Sequence, residues 1–158
     1  MDCPRIINRA LLDRVVAEAN ASPRRRKNFN FHGSESDASH RLLNAMESDS
    51  YIQPHCHMSA DKDESIIVLA GRIGMIFFDE AGNVTEVADL SPNGEAVGVN
   101  IAHGVFHSVV ALAPGSVFFE AKAGPYLALR PEEKGAWAPA EGDAGASAYL
   151  AELKSLFA

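Results

Sequence analysis

Two histidines flank a cysteine in the stretch PHCH, residues 54–57, and they are the side chains of this chain best suited to metal chemistry. Residues two apart on a β-strand point to the same face, so His55 and His57 would face one side and Cys56 the other. Glu64 follows at the start of the run ESIIVLAG, and His107 opens another apolar run in HGVFHSVV. Three imidazoles and one carboxylate suit a borderline divalent cation.

This ligand set predicts one divalent transition metal ion, either Fe, Mn, Zn, Ni or Co, held by His55, His57, Glu64 and His107. Four protein ligands would leave up to two octahedral positions for water, substrate or dioxygen. Strand alternation places Glu64 on the same face as Ile66 and Val68, which favours an inward carboxylate. An aspartate at position 61 or 63 is the alternative acidic ligand.

The elements that position these ligands belong to a soluble globular chain. It has 158 residues, 47% hydrophobic composition and a formal net charge of −7. The length suggests one domain, residues 1–158, and the acidity argues against nucleic acid or an acidic membrane as a partner. The first twenty residues carry charges throughout, unlike a secretory signal, and two cysteines do not make a disulfide framework. We therefore expect a cytoplasmic protein.

Short β-rich runs alternate with turn signals between residues 28 and 126. This pattern predicts a mainly β fold, an antiparallel β-barrel or double-sheet jelly roll. Apolar residues at three- and four-residue steps predict an N-terminal helix over 4–22 and a C-terminal helix over 145–158. The stretch KGAWAPAEGDAGAS, before the last helix, is typical of a linker or loosely attached arm.

The runs FHSVVAL and VFFEAKA, joined by APGS, predict a hairpin in which His107 faces Lys122 and Val109 faces Glu120. In that register Glu120 and Lys122 lie on the side of the metal, whereas a one-residue bulge would reverse them. Glu120 is then a candidate partner of a metal-bound histidine or a catalytic acid/base, and Lys122 a candidate substrate-binding residue. A purely structural Glu–Lys pair is the alternative.

Five further polar residues are candidates for substrate chemistry. His103, in the loop before His107, is either a catalytic acid or base at the barrel mouth or a solvated loop histidine. The basic run RRRK at 24–27 stands out in an acidic chain. Because arginine forks bind carboxylate and phosphate, Arg24, Arg26 and Arg41, with Asn44, are candidate binding residues for an anionic ligand near the barrel mouth.

The segment HCHMSADKDESIIVLAG resembles the first cupin motif, in which His-x-His precedes a glutamate and a glycine. AHGVFHSVVA resembles the second motif, with Gly104 and His107 matching and Ala102 in the usual proline position. Five segments, SPRRRKNFNFH, HRLLNAM, SYIQPHCH, GVFHSVVAL and FFEAKAGPY, are together similar to the WbuC-type cupin-fold metalloproteins. That resemblance implies a metal-binding cupin barrel and an association with O-antigen or other surface-polysaccharide gene clusters.

Three functions are compatible with these features. The leading hypothesis is a metal-dependent enzyme, of isomerase, epimerase, lyase or dioxygenase type, acting on a small carbohydrate-derived or anionic metabolite. A non-catalytic sugar- or acid-binding or regulatory module is the second, because fold does not fix function. A metal-stabilised structural partner in a larger assembly is the third. A homodimer is compatible with all three.

Overall fold

The computed structural model describes residues 5–158, and within them eight strands and two α-helices form the framework of the protein. In chain order the elements are α1 (Arg9–Ala21), β1 (Arg26–Asn30), β2 (Ser39–Met46), β3 (Glu64–Ala70), β4 (Ile73–Phe78), β5 (Val84–Leu90), β6 (Gly98–Ile101), β7 (Phe106–Ala111), β8 (Ser116–Ala123), a 3-10 turn (Pro131–Glu133) and α2 (Ala146–Ser155).

The strands form two antiparallel sheets that face each other. One has the order β1-β2-β8-β3-β6 and the other the order β5-β4-β7. Alternate residues from both sheets fill the space between them, among them Met46, Ile66, Met75, Val109 and Phe118. This two-sheet, mainly β architecture with a helix near each end of the chain is the fold class expected from the sequence.

Each helix covers the outer face of one sheet, which is why several strands are apolar on both faces. Leu12, Val15 and Ala19 of α1 pack on the five-stranded sheet. Leu150 and Leu153 of α2 pack on the three-stranded sheet, whose strands β4 and β7 are buried at every position. No helix within residues 5–158 is long and apolar enough to cross a bilayer.

Both helices are shorter than expected. The first begins at Arg9 because the Asn8 side chain accepts a hydrogen bond from the Leu11 amide at 3.0 Å and so caps the helix. The expected start at Pro4 lies outside the described residues. The second helix covers Ala146–Ser155 within the expected range 145–158.

The predicted hairpin between β7 and β8 is wrong. β7 pairs with β4 in the three-stranded sheet, whereas β8 pairs with β2 and β3 in the five-stranded one. The short link at 112–115 therefore carries the chain from one sheet to the other. A turn signal between two apolar runs cannot distinguish such a crossing from a hairpin.

The segment after the barrel is also not a loose arm. The Cys56 amide donates to the Glu133 carbonyl at 2.8 Å, and the Gly135 amide donates to the Pro54 carbonyl at 2.7 Å. Trp137 packs edge-on against Phe106, with ring centroids 5.0 Å apart. Residues 133–137 therefore hold the PHCH stretch against the three-stranded sheet.

Candidate metal centre

Three histidines converge in the space between the sheets. His107 lies on the inward face of β7. His55 is not on a regular strand, but it forms an isolated bridge with His107 through two backbone hydrogen bonds of 2.9 and 3.0 Å. One ring nitrogen each of His55, His57 and His107 lies within 4.8 Å of the other two. Cys56, between the first two, is fully buried on the opposite side against Ile76, as strand-like alternation predicted.

Backbone carbonyls fix how two of these rings are protonated. The Nδ1 atom of His55 lies 3.0 Å from the Gln53 carbonyl, and that of His107 lies 2.9 Å from the Val105 carbonyl. Because a carbonyl only accepts, each Nδ1 carries a proton, and Nε2 is the ring nitrogen left to face the other histidines. Burial, followed by the nearby His107, lowers the pKa of His55 to about 3, so this ring is neutral and able to ligate.

His57 contributes the observation that best tests whether these residues fit a metal. Its Nε2 atom is buried and makes no hydrogen bond to any residue in the described range 5–158. It lies 3.0 Å from Oε1 of Glu64, but in an orientation that does not form one. A buried ring nitrogen without a partner is costly in a folded protein, whereas a lone pair beside two other imidazoles is what a metal ligand requires. The histidines therefore fit a divalent transition ion.

Glu64 reaches the histidines from the opposite sheet, at the first position of β3. Its Oε2 atom lies 3.1 Å from Nε2 of His107, and its Oε1 atom lies 2.6 Å from the Lys122 ammonium. Burial alone would raise the pKa of Glu64, but contacts with His107 and His57 and the charge of Lys122 together hold it far below its usual range. The carboxylate is thus ionised.

Lys122 lies between two buried carboxylates. It pairs across the strands with Glu64, and its Nζ atom is also 3.2 Å from Oε1 of Glu120. Burial would lower the pKa of Lys122, but the two carboxylates outweigh burial and raise it. Burial raises the pKa of Glu120, with Lys122 opposing and Glu64 reinforcing that shift. Asn44 completes the chain by donating from Nδ2 to Oε2 of Glu120 at 2.8 Å.

Several residues singled out from the sequence therefore lie on the same inward face. Glu120 and Lys122 are on the side of the histidines, but for a different reason from the one expected. Glu120 and Lys122 face inward because β8 pairs with β3, where Glu120 lies opposite Ile66 and Lys122 lies opposite Glu64. The expected pairing of Lys122 with His107 does not occur. The expected inward direction of Glu64 follows from alternation along β3 and holds.

The arginines are not brought to the histidines. Arg24 and Arg26 both bind Glu141, with nitrogen–oxygen distances of 2.9 and 2.6 Å. Arg26 pairs with Met46, six residues along β2 from the residue that faces Lys122. At about 3.3 Å per residue this separation is roughly 20 Å. Both side chains tie β1 to the segment before α2.

Arg41 is also misplaced by the sequence argument, because alternation puts it on the outer face of β2. It shares that face with Leu43 and Ala45, which pack under α1. It lines a surface groove with Phe31 and Phe119, on the side of the sheet away from the histidines.

His103 is exposed in the loop before β7. Its Nδ1 atom and its backbone nitrogen each lie 2.8 Å from Oδ1 of Asp63. Asp63, one of the alternative acidic ligands, is thus paired with a loop histidine, whereas Glu64 lies against His57 and His107.

A cavity of about 360 Å³ opens beside His57, and the sequence reasoning missed most of its lining. The other residues around it are Met58, Ser59, Lys62, Leu127, Ala128, Arg130 and Glu133. Glu133 fixes this wall by accepting the amides of Met58 and Arg130, both at 2.9 Å. The lining comes from two loops without a regular spacing, so only the charge of Lys62 in an acidic stretch could have drawn attention to it.

Comparison with known proteins is informative about fold. A family model described as a domain of unknown function, DUF6016, matches residues 7–90. No curated protein matches the sequence.

Solved structures are similar at low sequence identity. KdgF from Halomonas sp. has a TM-score of 0.51 and 18% identity over 67% of this chain and 84% of its own. The SPY1581 protein of unknown function from Streptococcus pyogenes has a TM-score of 0.53 and 8% identity over 80% and 93%. The DMSP lyase DddQ from Ruegeria pomeroyi has a TM-score of 0.50 and 16% identity over 66% and 49%. These similarities show the fold alone, and it is the cupin-type jelly roll.

Proposed function

This chain belongs to the DUF6016 family, and we propose that it is a metal-dependent cupin enzyme acting on a small anionic or carbohydrate-derived metabolite. The observation that carries the proposal is the buried Nε2 of His57, which makes no hydrogen bond within residues 5–158 and lies beside His55 and His107, whose ring nitrogens approach within 4.8 Å. Three converging ring nitrogens beside an ionised carboxylate favour a bound cation over a structural hydrogen-bond network.

The metal would be held by His55, His57 and His107, with Glu64 as the fourth ligand. Nitrogen and oxygen donors together suit Fe, Mn, Co, Ni or Zn. When bound, such an ion supplies Lewis acidity for a carbonyl or carboxylate, or lowers the pKa of bound water. The carbonyls behind His55 and His107 keep both rings in the ligating tautomer and orientation.

Glu120 and Lys122 are the proposed proton-handling groups of this site. Lys122 carries its proton between the two carboxylates and orients Glu64 through the 2.6 Å contact. Glu120, held by Asn44, is positioned as a general acid or base at the edge of the same polar cluster. Asn44 and Lys122 remain candidate substrate-binding residues, and His103 an additional acid or base at the loop.

The sequence resemblance supports finer assignments as part of this proposal. Similarity to WbuC-type proteins favours a role in surface-polysaccharide or O-antigen metabolism. The acidic composition favours a small-molecule partner over nucleic acid. Two cysteines that make no disulfide framework favour a cytoplasmic location. A homodimer is the assembly we expect.

A non-catalytic ligand-binding module is the second candidate, and one observation favours it. Glu64 and Glu120 already share Lys122 as an ion-pair partner, at 2.6 and 3.2 Å. Carboxylates balanced in this way stabilise a site without transferring protons. Under this alternative, a Glu120→Gln variant would bind its ligand as the natural protein does and no turnover would be found.

The proposal is tested by elemental analysis of untagged protein after reconstitution with each candidate metal. We expect one transition ion per chain in the natural protein and a loss of at least tenfold in a His55→Ala/His107→Ala variant. His103→Ala removes an exposed histidine and serves as the matched control, with full metal content expected. A natural protein that binds no transition metal after reconstitution would refute the proposal.

A further inference from the structure

We propose that the cavity beside His57 is a substrate pocket whose specificity is set by Lys62, which binds the carboxylate of a small, singly charged organic acid. The inference rests on the proposed function, because the cavity opens on a proposed metal ligand. It assigns the anion-binding role that the sequence suggested for Arg24, Arg26 and Arg41 to a different residue.

Among the residues that the structure describes, Lys62 is a buried ammonium without a carboxylate partner. Its residue is 9% exposed, and its Nζ atom lies 2.6 Å from the carbonyls of both Ala123 and Pro125. An ammonium has three N–H donors, so one is left over after these two bonds. Within residues 5–158 no carboxylate forms an ion pair with it at 4.0 Å or less.

The surrounding charges leave this ammonium uncompensated. Lys122 adds a repulsive positive charge nearby, and Asp61 attracts Lys62 only from beyond ion-pair distance. Burying a charge without a counter-ion is expensive, and the carbonyls that bind Lys62 carry no net charge. An anionic ligand in the adjoining cavity would supply the missing charge.

The remaining walls define the size and charge of that ligand. Among the other charged residues of the lining, Arg130 and Glu133 form an ion pair at 3.5 Å and offset each other, and Glu132, whose side chain is 53% exposed, lies outside the lining. One positive charge is therefore left for the ligand. A carboxylate matches this charge, whereas a phosphate monoester carries a charge of roughly −1.5 to −2 and exceeds it. Met58 and Leu127 give the cavity an apolar side, and its volume of about 360 Å³ suits a small metabolite.

The position of the cavity explains why this arrangement would be useful. His57 and Lys62 line the same cavity. If Lys62 binds the carboxylate of an acid, the hydroxyl or carbonyl groups of that acid can lie on the side of the cavity near His57. The residue that recognises the charge is then distinct from the residues that would carry out the chemistry.

The test compares acids with neutral analogues by calorimetry on metal-reconstituted protein. The probes are lactate against lactamide, glucuronate against glucose, and glycerol phosphate as a dianion. We expect at least one acid to bind the natural protein tenfold or more tightly than its neutral analogue. Failure of both acids to bind at millimolar concentration, or tighter binding of glycerol phosphate, would overturn the assignment.

Two substitutions separate charge from fold. Lys62→Gln keeps donors for the carbonyls but removes the charge, and it should weaken acid binding by about 10- to 100-fold while leaving neutral analogues unaffected. Lys62→Arg should restore binding to within about threefold. Lys27→Gln removes an exposed lysine and should change nothing. Acid binding that is unaltered in Lys62→Gln refutes the role of Lys62.

Filling the cavity gives a second, fold-neutral test. Ala128 lines the cavity at an exposed position, so Ala128→Trp should block acid binding without lowering the melting temperature. Full acid binding in this variant would place the ligand elsewhere and overturn the inference.

Metal content, measured on the same samples, distinguishes this inference from the proposed function. Normal metal content with acid binding that ignores Lys62 refutes the pocket and leaves the metal site intact. Acid binding that depends on Lys62 in a protein that never retains metal supports the pocket and refutes the metal-dependent enzyme.

Discussion

Replacing Lys122 with methionine should strongly destabilise the metal-free protein, whereas removing the charge of an exposed lysine should not. The substitution keeps most of the aliphatic volume but leaves Glu64 and Glu120 without the cation that separates them. Their side chains are only 5% and 13% exposed, so water cannot replace the ammonium. The expected cost follows from the two short contacts.

At 2.6 and 3.2 Å, and with an effective dielectric constant near 20, the two contacts are worth roughly 6 and roughly 5 kcal/mol of Coulomb attraction. Desolvation of the three ions opposes most of this gain, and removing one partner of a buried pair typically costs about 3–5 kcal/mol. We therefore expect Lys122→Met to lower the free energy of unfolding by about 3–5 kcal/mol, or the melting temperature by roughly 10 °C.

Urea denaturation of metal-free protein measures this change, with Lys27→Met as the exposed-lysine control. Adding Glu120→Gln to Lys122→Met should recover part of the loss, because one of the two unpaired carboxylates is then neutral. A loss below about 1 kcal/mol in Lys122→Met, or no recovery in the double variant, would show that the three charges are effectively solvated and would refute the reasoning.

Two further substitutions, Gly71→Ala and Glu141→Gln, test contacts that stabilise the fold outside the polar cluster. Gly71 has φ of +75°, and a Cβ there would collide with Ser116. Gly71→Ala should therefore lower the free energy of unfolding, measured by urea denaturation, by at least about 2 kcal/mol. Gly142 has φ of +90° but open space around it, so Gly142→Ala should lower that free energy by only about 1 kcal/mol through backbone strain. Equal costs would contradict the collision. Burial would raise the pKa of Glu141, but hydrogen bonds from two arginines hold it below its ordinary value of 4.5. Glu141→Gln should therefore destabilise the protein at neutral pH, and the difference should vanish as the pH falls through that lowered pKa. A constant difference down to pH 3 would contradict it.

The directions of His55, His57 and Glu64 could be predicted because they depend on local alternation. Two positions along an extended segment decide that His55 and His57 face one way and Cys56 the other, whatever the partner strand is. The same rule turned Glu64 inward on β3. Such arguments need only the chain's own geometry, and they give the directions of these side chains without any knowledge of the partner strands.

What could not be predicted depends on pairing between distant strands. The partners of β8 are β2 and β3, and neither is adjacent to it in sequence. The short linker to β7 instead favoured a hairpin. Arg41 was misplaced because the sequence does not show which face of β2 is the outer one, covered by α1. Lys62 was missed because its importance comes from the absence of a counter-charge, which a sequence pattern does not record.

The central position of β8 has a consequence for how the protein is made. Of the eight strands, β8 is the last to leave the ribosome, yet it lies between β2 and β3 in the five-stranded sheet. Until it emerges, the five-stranded sheet can exist only as two separate strand pairs, β1 with β2 and β3 with β6, each with an open edge. During synthesis those edges are vulnerable to pairing with neighbouring chains, and Glu64 meets its lysine only when the last strand closes the sheet.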